Sequence, residues 1–246
     1  MAWYKEWFGE DYLDLYSYRD QDEADAHVAF VMDAFEDSPR PDSVLDLACG
    51  AGRHTEALRR RGLRALGVDL SLTLLTQRPD LPRVSGDMRC LPFADTSFDW
   101  VLNFFTSFGY FETERENFRV LEEVVRLLTP GGRFLIDFLN RERVLDSLEA
   151  SESRHEAGRQ IDIQRWYDPA TSRINKRITL RRDPEDGEIA GPPRTYLESV
   201  RAYTKEEVTI GLSWAGLEVT RLYGNFRGDP YDRDSERLII LGRKAG

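Results

Sequence analysis

Gly50, Gly52 and Asp69 are the residues whose types and spacing first indicate chemistry in this chain. The two glycines follow the apolar segment SVLDLA (residues 43–48), and Asp69 ends a second apolar segment about twenty residues further on. Glycines after a strand let the main chain approach a ligand closely, because a Cβ there would block it. An acidic side chain at the end of the next strand can accept hydrogen bonds from both hydroxyls of a ribose. The pattern predicts a nucleoside-binding site.

The glycine loop also indicates which class of nucleoside it would hold. A dinucleotide site requires G-x-G-x-x-G, whose third glycine permits tight helix packing over a pyrophosphate. The chain reads GAGRHT from residue 50, so Thr55 stands where the third glycine would be. The residues therefore favour a nucleoside without a pyrophosphate over the nicotinamide cofactor of a dehydrogenase.

Length, charge and cysteine content exclude several classes of protein. The 246 residues suffice for one large α/β domain with a modest insertion, and the net charge of −10 disfavours nucleic-acid binding. The sequence shows neither a secretory signal nor an apolar segment of bilayer length, so we expect a cytoplasmic protein without membrane association. Cys49 and Cys90 lack metal-ligand spacing, and we expect no metal. Monomer and homodimer both fit.

Alternating apolar segments predict the elements that would position this site. The first forty residues have helical spacing and end at SPRP. From residue 44 onward, strands alternate with the helices HTEALRRRG and RENFRVLEEVVRLL. The predicted strands are SVLDLA, RALGVDL, RVSG, FDWVLNFF and RFLIDFLN. This order is typical of a doubly wound, mostly parallel sheet.

The pattern changes after about residue 140. RQIDIQRWYD, RINKRITLRR and RTYLESVRAY alternate polar and apolar residues, with turns at Asp168-Pro169 and at DPEDGEIAGPP between them. They predict an antiparallel meander with one packed face. The helix TKEEVTIGLSWAG and the strands LEVTRLYG and ERLIILGRK then return to α/β character.

Four segments together resemble a known family. VLDLACGAGRHT, GVDL, GDMRCLPFADTSFDWVLNFFTSFGYF and VLEEVVRLLTPGGRFLIDF are similar to the successive motifs of class I S-adenosylmethionine-dependent methyltransferases. The resemblance covers residues 42–140 and, more loosely, the final helix and two strands. It implies an α/β, doubly wound, seven-stranded Rossmann-like methyltransferase sheet whose last strand is antiparallel. It also implies an enzyme with S-adenosyl-L-methionine as cofactor.

The resemblance assigns cofactor-binding roles residue by residue. The positions that would surround the methionine part are Asp46, Ala48, Gly50 and Gly52. Asp69 would bind the ribose, Leu70 would touch the adenine, Asp87 would accept from the adenine amino group, and the Met88 backbone would meet the ring. The segment beside the transferable methyl group would be Asn103, Phe104 and Phe105.

DYLDLYSYRD resembles an N-terminal lid of small-molecule members, in which Tyr16 and Arg19 would reach the cofactor carboxylate. We therefore expect a helical lid (residues 1–40), a cofactor-binding Rossmann-like domain (41–140 and 204–246) and an antiparallel β insertion covering the acceptor pocket (141–203).

The residues that would contact the acceptor are less defined. NFFTS follows the fourth strand where amino methyltransferases acting on adenine carry [DN]-P-P-[FYW], so no motif fixes the acceptor. Aromatic side chains could attract a cationic donor and exclude water. Candidate substrate-binding residues are Phe108, Tyr110, Trp166, Tyr196, Asn225 and Arg237. Candidate positioning residues are Phe105, Tyr203 and Arg201, and His54 is a weaker candidate for contact with either ligand. No catalytic base can be named.

Three functions remain open. The first is methyl transfer to N or O of a small molecule by in-line displacement. The second is a tRNA or protein methyltransferase that uses a basic face of the insertion, formed by Arg173, Lys176, Arg177, Arg181 and Arg182. The third is a module that binds S-adenosylmethionine without catalysis.

Overall fold

The protein is described by a computed structural model covering residues 2–183 and 191–246. Within these residues the strands are β1 (Val44–Leu47), β2 (Ala65–Asp69), β3 (Arg83–Ser85), β4 (Phe98–Asn103), β5 (Leu128–Leu139), β6 (Ser151–Glu156), β7 (Arg159–Asp168), β8 (Arg173–Arg182), β9 (Arg194–Arg201), β10 (Leu217–Tyr223) and β11 (Arg237–Lys244). The helices are α1 (Tyr4–Trp7), α2 (Glu10–Leu15), α3 (Gln21–Ala34), α4 (Arg53–Arg60), α5 (Leu72–Leu75), α6 (Glu114–Leu127), α7 (Arg141–Asp146) and α8 (Lys205–Ala215).

The larger sheet has seven strands in the described part of the chain, in the order β10-β11-β5-β4-β1-β2-β3. β1 pairs in parallel with β2 and β4, and β4 pairs in parallel with β5. β11 runs antiparallel to β5, as the family resemblance implies for the last strand. The prediction of a doubly wound, seven-stranded α/β sheet is confirmed.

Helices cover both faces of this sheet because the central strands are apolar on both sides. Leu45 and Leu47 face a cluster that includes residues of α6 and α8. Val44 faces the other cluster, which includes residues of α3 and α4. Both α6 and α8 begin at a threonine capping box, which satisfies free N–H groups of the first turn.

A second, four-stranded antiparallel sheet has the order β6-β7-β8-β9 within the described residues. Three of its strands match the predicted meander, whereas β6 was not predicted. Its sequence SESRHE is polar on both faces, which is common for an edge strand, and among the described strands β6 pairs with β7 alone. The turn predicted at DPEDGEIAGPP includes residues 184–190, which lie outside the described residues.

The short helices α1 and α2 pack on the inner face of this second sheet. Ile161, Ile163, Ile178 and Leu180 form a buried cluster with Trp7 and Leu15 of the two helices. The Trp7 indole Nε1 also donates a hydrogen bond of 2.6 Å to Glu198 on β9. None of the helices in residues 2–183 and 191–246 has the length and apolar content needed to cross a membrane.

Candidate active site

A cavity of about 350 Å³ lies at the carboxyl ends of β1, β2 and β4. This is the edge at which open α/β sheets bind ligands. The cavity also receives side chains from the N-terminal segment (residues 2–40). Most residues to which the resemblance assigns the cofactor lie on its wall, namely Tyr16, Arg19, Asp46, Ala48, Gly50, Asp69, Leu70, Asp87, Met88 and Phe104.

The loop after β1 is held to the end of β2 by Asp69. The Gly50 N–H donates to one carboxylate oxygen and the Ser71 N–H to the other, both at 2.8 Å. Ala48 and Gly50 have φ values of 59° and 56°, in the left-handed region that favours glycine. Each oxygen of a carboxylate can accept a further hydrogen bond. Asp69 can therefore hold the loop and still accept from ligand hydroxyls.

Asp46 lies beneath this loop and is 1% exposed. The Thr55 hydroxyl donates a 2.6 Å hydrogen bond to it. Burial raises the pKa of the Asp46 carboxyl to about 7, so this group holds its proton well above the ordinary carboxyl range.

Phe104 and Phe105 form the wall at the end of β4, in a backbone conformation that needs support. Phe105 and Thr106 have φ values of 59° and 53°, which are strained for side chains larger than glycine. The buried Asp137 carboxylate accepts from the Phe105 N–H at 2.8 Å and from Arg237 Nε at 2.7 Å. Arg237 in turn donates to the Thr106 hydroxyl at 2.7 Å. The pair of Asp137 and Arg237 thus holds the segment in place.

The N-terminal segment brings Tyr16 and Arg19 to the cavity wall beside Phe105. The Arg19 guanidinium carbon lies 4.5 Å from the ring centroid of Tyr16 and 4.7 Å from that of Phe105. Arg19 also donates to the Tyr12 hydroxyl at 2.9 Å. In residues 2–183 and 191–246 no carboxylate pairs with it, and its electrostatic neighbours are tyrosines. Arg19 is therefore a cation available to an anionic group of a ligand.

Tyr16 connects the cavity to the second sheet. Its hydroxyl donates to Glu198 at 3.3 Å and accepts from Lys176 of β8. The same Glu198 accepts from Trp7. This network fixes the position of the Tyr16 ring against the sheet.

Asp87 and Met88 lie where the cavity meets the end of β3. Arg89 donates to both oxygens of the Asp87 carboxylate, at 3.0 and 2.6 Å. Partial burial raises the pKa of Asp87, but the hydrogen bonds from Arg89 outweigh it and hold that pKa below its usual value. Asp87 is therefore a charged acceptor that already shares its oxygens with a cation.

The structure does not bring every sequence candidate to the cavity wall. Gly52 lies behind the loop as the N-cap of α4, and Asn103 donates to the Leu47 carbonyl oxygen at 2.8 Å. The other candidates away from the wall are Phe108, Trp166, Tyr196, Arg201, Tyr203, Asn225 and Arg237.

Packing and ion pairs explain where several of these residues lie instead. Phe108 and Tyr203 stack in the core with ring centroids 5.3 Å apart. Arg201 pairs with Glu114 and Glu207, and the Tyr196 hydroxyl donates to Asp11 at 2.6 Å. Tyr110 and Phe105 are the acceptor-side candidates that do line the cavity.

The second sheet contributes no described side chain to the cavity wall. Its inner face is already covered by α1 and α2, which lie between it and the cavity. The insertion therefore supports the N-terminal segment, and the expectation that it covers the pocket directly does not match this arrangement.

The cations of β8 do not form one continuous basic face. Arg173 donates to the main-chain carbonyls of Phe111 and Tyr110, and Lys176 is held between Tyr16 and Glu198. Arg181 pairs with Asp162. A phosphate backbone would have to compete with these partners.

Several residues at the site were missed by the sequence reasoning. Tyr4, Phe8 and Tyr12 line the cavity, and their spacing of four residues, continued by Tyr16, was an available signal. Asp137 gave no signal, because it reads as one polar position inside an apolar strand.

Comparisons with known proteins agree with this geometry. Residues 45–136 match the family model described as a methyltransferase domain. The chain is 30% identical over 212 residues to the cypemycin N-terminal methyltransferase of a Streptomyces species, covering 82% of this chain and 83% of the relative.

Two further proteins are similar over most of their length. The dTDP-4-amino-2,3,4,6-tetradeoxy-D-glucose N,N-dimethyltransferase of Saccharopolyspora spinosa is 27% identical, covering 77% of this chain and 78% of the relative. The crystal structure of an S-adenosylmethionine-dependent methyltransferase from Clostridium acetobutylicum superposes with a TM-score of 0.79 at 18% identity. That likeness in fold covers 94% of this chain and 95% of the other.

Proposed function

This chain belongs to the class I S-adenosylmethionine-dependent methyltransferases, and from that premise we propose that it methylates the nitrogen of a small-molecule amine. The observation that carries the proposal is the cavity wall, which combines the Asp69 carboxylate with a set of aromatic rings. Tyr12, Tyr16, Phe104, Phe105 and Tyr110 all line it. Aromatic faces attract cationic groups, and both the sulfonium donor and a protonated amine are cationic.

The cavity residues fit the cofactor on chemical grounds. Asp69 would hold the ribose hydroxyls, and Arg19, which lies beside Tyr16 and has no carboxylate partner among the described residues, would hold the methionine carboxylate. Leu70 and Met88 would flank the adenine, with Asp87 near its amino group. When bound, S-adenosylmethionine supplies an electrophilic methyl group attached to a positively charged sulfur.

One contribution of the protein is positioning of the reactants and exclusion of water. Phe105 is held by Asp137 and Phe104 stacks on His54, so both present fixed apolar faces to the reacting groups. Orienting two reactants in this way can supply a large part of the rate acceleration, about 7–11 kcal/mol in favourable cases. We propose that residues 2–40 act as a lid on the cavity and that the β insertion (141–203) keeps this lid in place.

Two relatives support nitrogen over oxygen as the methylated atom. The cypemycin enzyme is named for methylation at an N-terminus, and the Saccharopolyspora enzyme for N,N-dimethylation of an amino sugar nucleotide. Both acceptors are aliphatic amines. A nucleic-acid acceptor is not favoured, because Arg173, Lys176 and Arg181 of β8 have intramolecular partners and the net charge is −10.

The experiment is a transfer assay with a labelled methyl donor and matched acceptors. Amino sugar nucleotides and short peptides with free N-termini are compared with analogues in which a hydroxyl replaces the amine. We expect label in the amines only, located on nitrogen by mass spectrometry. Label in the hydroxyl analogues, or in none of the amines, would contradict the proposal. Binding of S-adenosylhomocysteine by calorimetry reports separately on the cofactor site and on the non-catalytic alternative.

A further inference from the structure

Two histidines form a buried pair at the cavity wall. Nδ1 of His27, on α3, lies 3.1 Å from Nε2 of His54, on α4. They are 9% and 5% exposed, and His54 lines the cavity. The His54 ring stacks on Phe104, with centroids 4.0 Å apart and planes at 6°. The pair therefore touches the ring that borders the proposed reaction site.

The surroundings of the pair favour two neutral rings. The ring centroids of His27 and Phe226 lie 3.7 Å apart in a stacked arrangement. The Phe105 centroid lies 5.6 Å from that of His27 and 5.7 Å from that of His54. Burial lowers the pKa of His27 and lowers that of His54 further. A neutral imidazole is the form that can accept a proton.

Charged groups face the pair from every element packed against it, but each carboxylate has its own cation. They are Glu23 on α3, Arg53 on α4, Arg19 in the N-terminal segment, Asp137 on β5 and Arg237 on β11. Glu23 pairs with Arg53 at 3.0 Å, and Asp137 pairs with Arg237 at 2.7 Å. Among the described residues, none of these carboxylates hydrogen-bonds to an imidazole.

Packing alone gives little reason for two imidazoles at this position. Each neutral ring has one donor and one acceptor, and the shared hydrogen bond uses one of these on each ring. In residues 2–183 and 191–246 the structure gives His54 Nδ1 and His27 Nε2 no hydrogen-bond partner. Apolar side chains of similar size would fill an aromatic cluster at a lower desolvation cost.

We propose that His54, oriented by His27, accepts the proton that an acceptor amine must lose before it can be methylated. This inference rests on the proposed function, since an aliphatic ammonium has a pKa of about 10 and no free lone pair at neutral pH. An N–H bond of the ammonium breaks, and the proton bonds to the free nitrogen of His54. The electron pair stays on the amine nitrogen, which becomes the nucleophile.

The hydrogen bond to His27 gives the positive charge a second site. In the tautomer with His54 Nε2–H donating to His27 Nδ1, His54 Nδ1 keeps its lone pair for the incoming proton. The charge on the protonated pair is then spread over two rings, and the proton passes to water after the product leaves. His54 is the catalytic base in this scheme, and His27 is a positioning residue.

The first test uses the protein without acceptor. The sequence contains only three histidines, so imidazole ¹⁵N spectra can be assigned with His27→Asn, His54→Asn and His155→Asn. We expect neutral-ring signals from His27 and His54 at pH 7, with coupled titration at lower pH. An imidazolium signal from both rings at pH 7 would overturn the proposal, because neither could then accept a proton.

The second test is the pH dependence of methyl transfer. At pH 7 we expect His54→Asn to lower kcat/KM roughly 10²- to 10⁴-fold, the range for one general base. This reduction in kcat/KM should become smaller as the pH rises, because more of the acceptor is then free amine. The affinity of the variant for S-adenosylhomocysteine should stay near that of wild type. His27→Asn should shift the pH profile with a smaller loss. If His54→Asn fails to fold, His54→Gln takes its place.

The matched control is His155→Asn, because His155 is exposed and pairs with Asp183 on the surface. It should leave the rate and the pH profile unchanged. An equal loss at all pH values in His54→Asn, or no loss, would refute the base while leaving amine methylation intact. Failure of the wild-type protein to methylate any amine would instead refute the proposed function, and the base with it.

Discussion

Replacing Asp137 by asparagine tests whether the wall after β4 depends on one buried carboxylate. Asp137 is fully buried and accepts from the Phe105 N–H and from Arg237. An asparagine amide presents only one oxygen and leaves Arg237 without its counter-ion. Breaking a buried pair costs about 3–5 kcal/mol. Because the Arg237 side chain is 28% exposed, hydration of its guanidinium offsets part of this cost. We therefore expect the free energy of unfolding to fall by about 2–4 kcal/mol.

For a chain of this length such a loss lowers the melting temperature by roughly 5–15 °C. The strained Phe105 and Thr106 should also relax, so affinity for S-adenosylhomocysteine should fall as well. Thermal unfolding and calorimetry measure the two effects. Asp146→Asn is the control, because its ion pair with Arg233 is exposed on both sides. An Asp137→Asn protein with unchanged melting temperature and affinity would refute the reasoning.

Three further predictions concern the cofactor site. Asp69→Ala should weaken S-adenosylhomocysteine binding by at least about 2 kcal/mol, roughly 30-fold, in calorimetry, and unchanged affinity would contradict its ribose role. Arg19→Met should lower the same affinity about tenfold or more, and equal binding by variant and wild type would exclude Arg19 as the carboxylate partner. Burial raises the pKa of Asp46 to about 7, so the folded protein keeps a proton there that the unfolded chain has lost above the usual carboxyl range. The free energy of unfolding should therefore fall as the pH rises towards 7. Measured by urea unfolding, its decrease from about pH 5 to about pH 8 should be smaller for Asp46→Asn than for wild type.

The parts of the site that follow directly from sequence are those formed by short segments at strand ends. Gly50 and Asp69 are nineteen residues apart, yet they meet because β1 and β2 are parallel neighbours whose carboxyl ends share one edge. Met88 and Phe104, which the family resemblance assigned to the cofactor, lie at the cavity as well. Local pattern and one topological rule are sufficient for Gly50 and Asp69.

Contacts that depend on long-range pairing could not be predicted in this way, and the sequence suggested a different role, substrate binding, for Arg237. Arg237 reads as a polar residue at the start of a strand, and only the antiparallel register of β11 on β5 brings it beside Asp137. His27 has no motif around it and reaches His54 because α3 packs on α4. Strand β6 lacks the alternation of apolar residues on which strand prediction depends.

The position of the second sheet explains how an insertion can influence a cavity that it does not touch. Helices as short as α1 and α2, with four and six residues, have little stability on their own. Their orientation therefore depends on the apolar face of β7 and β8 and on the hydrogen bonds of Glu198 to Trp7 and Tyr16. Because Tyr16 and the neighbouring Arg19 lie at the cavity wall, a change at Glu198 would reach the cofactor site through the N-terminal segment. On the proposal above, the insertion would influence the cavity by holding α1 and α2 against the second sheet.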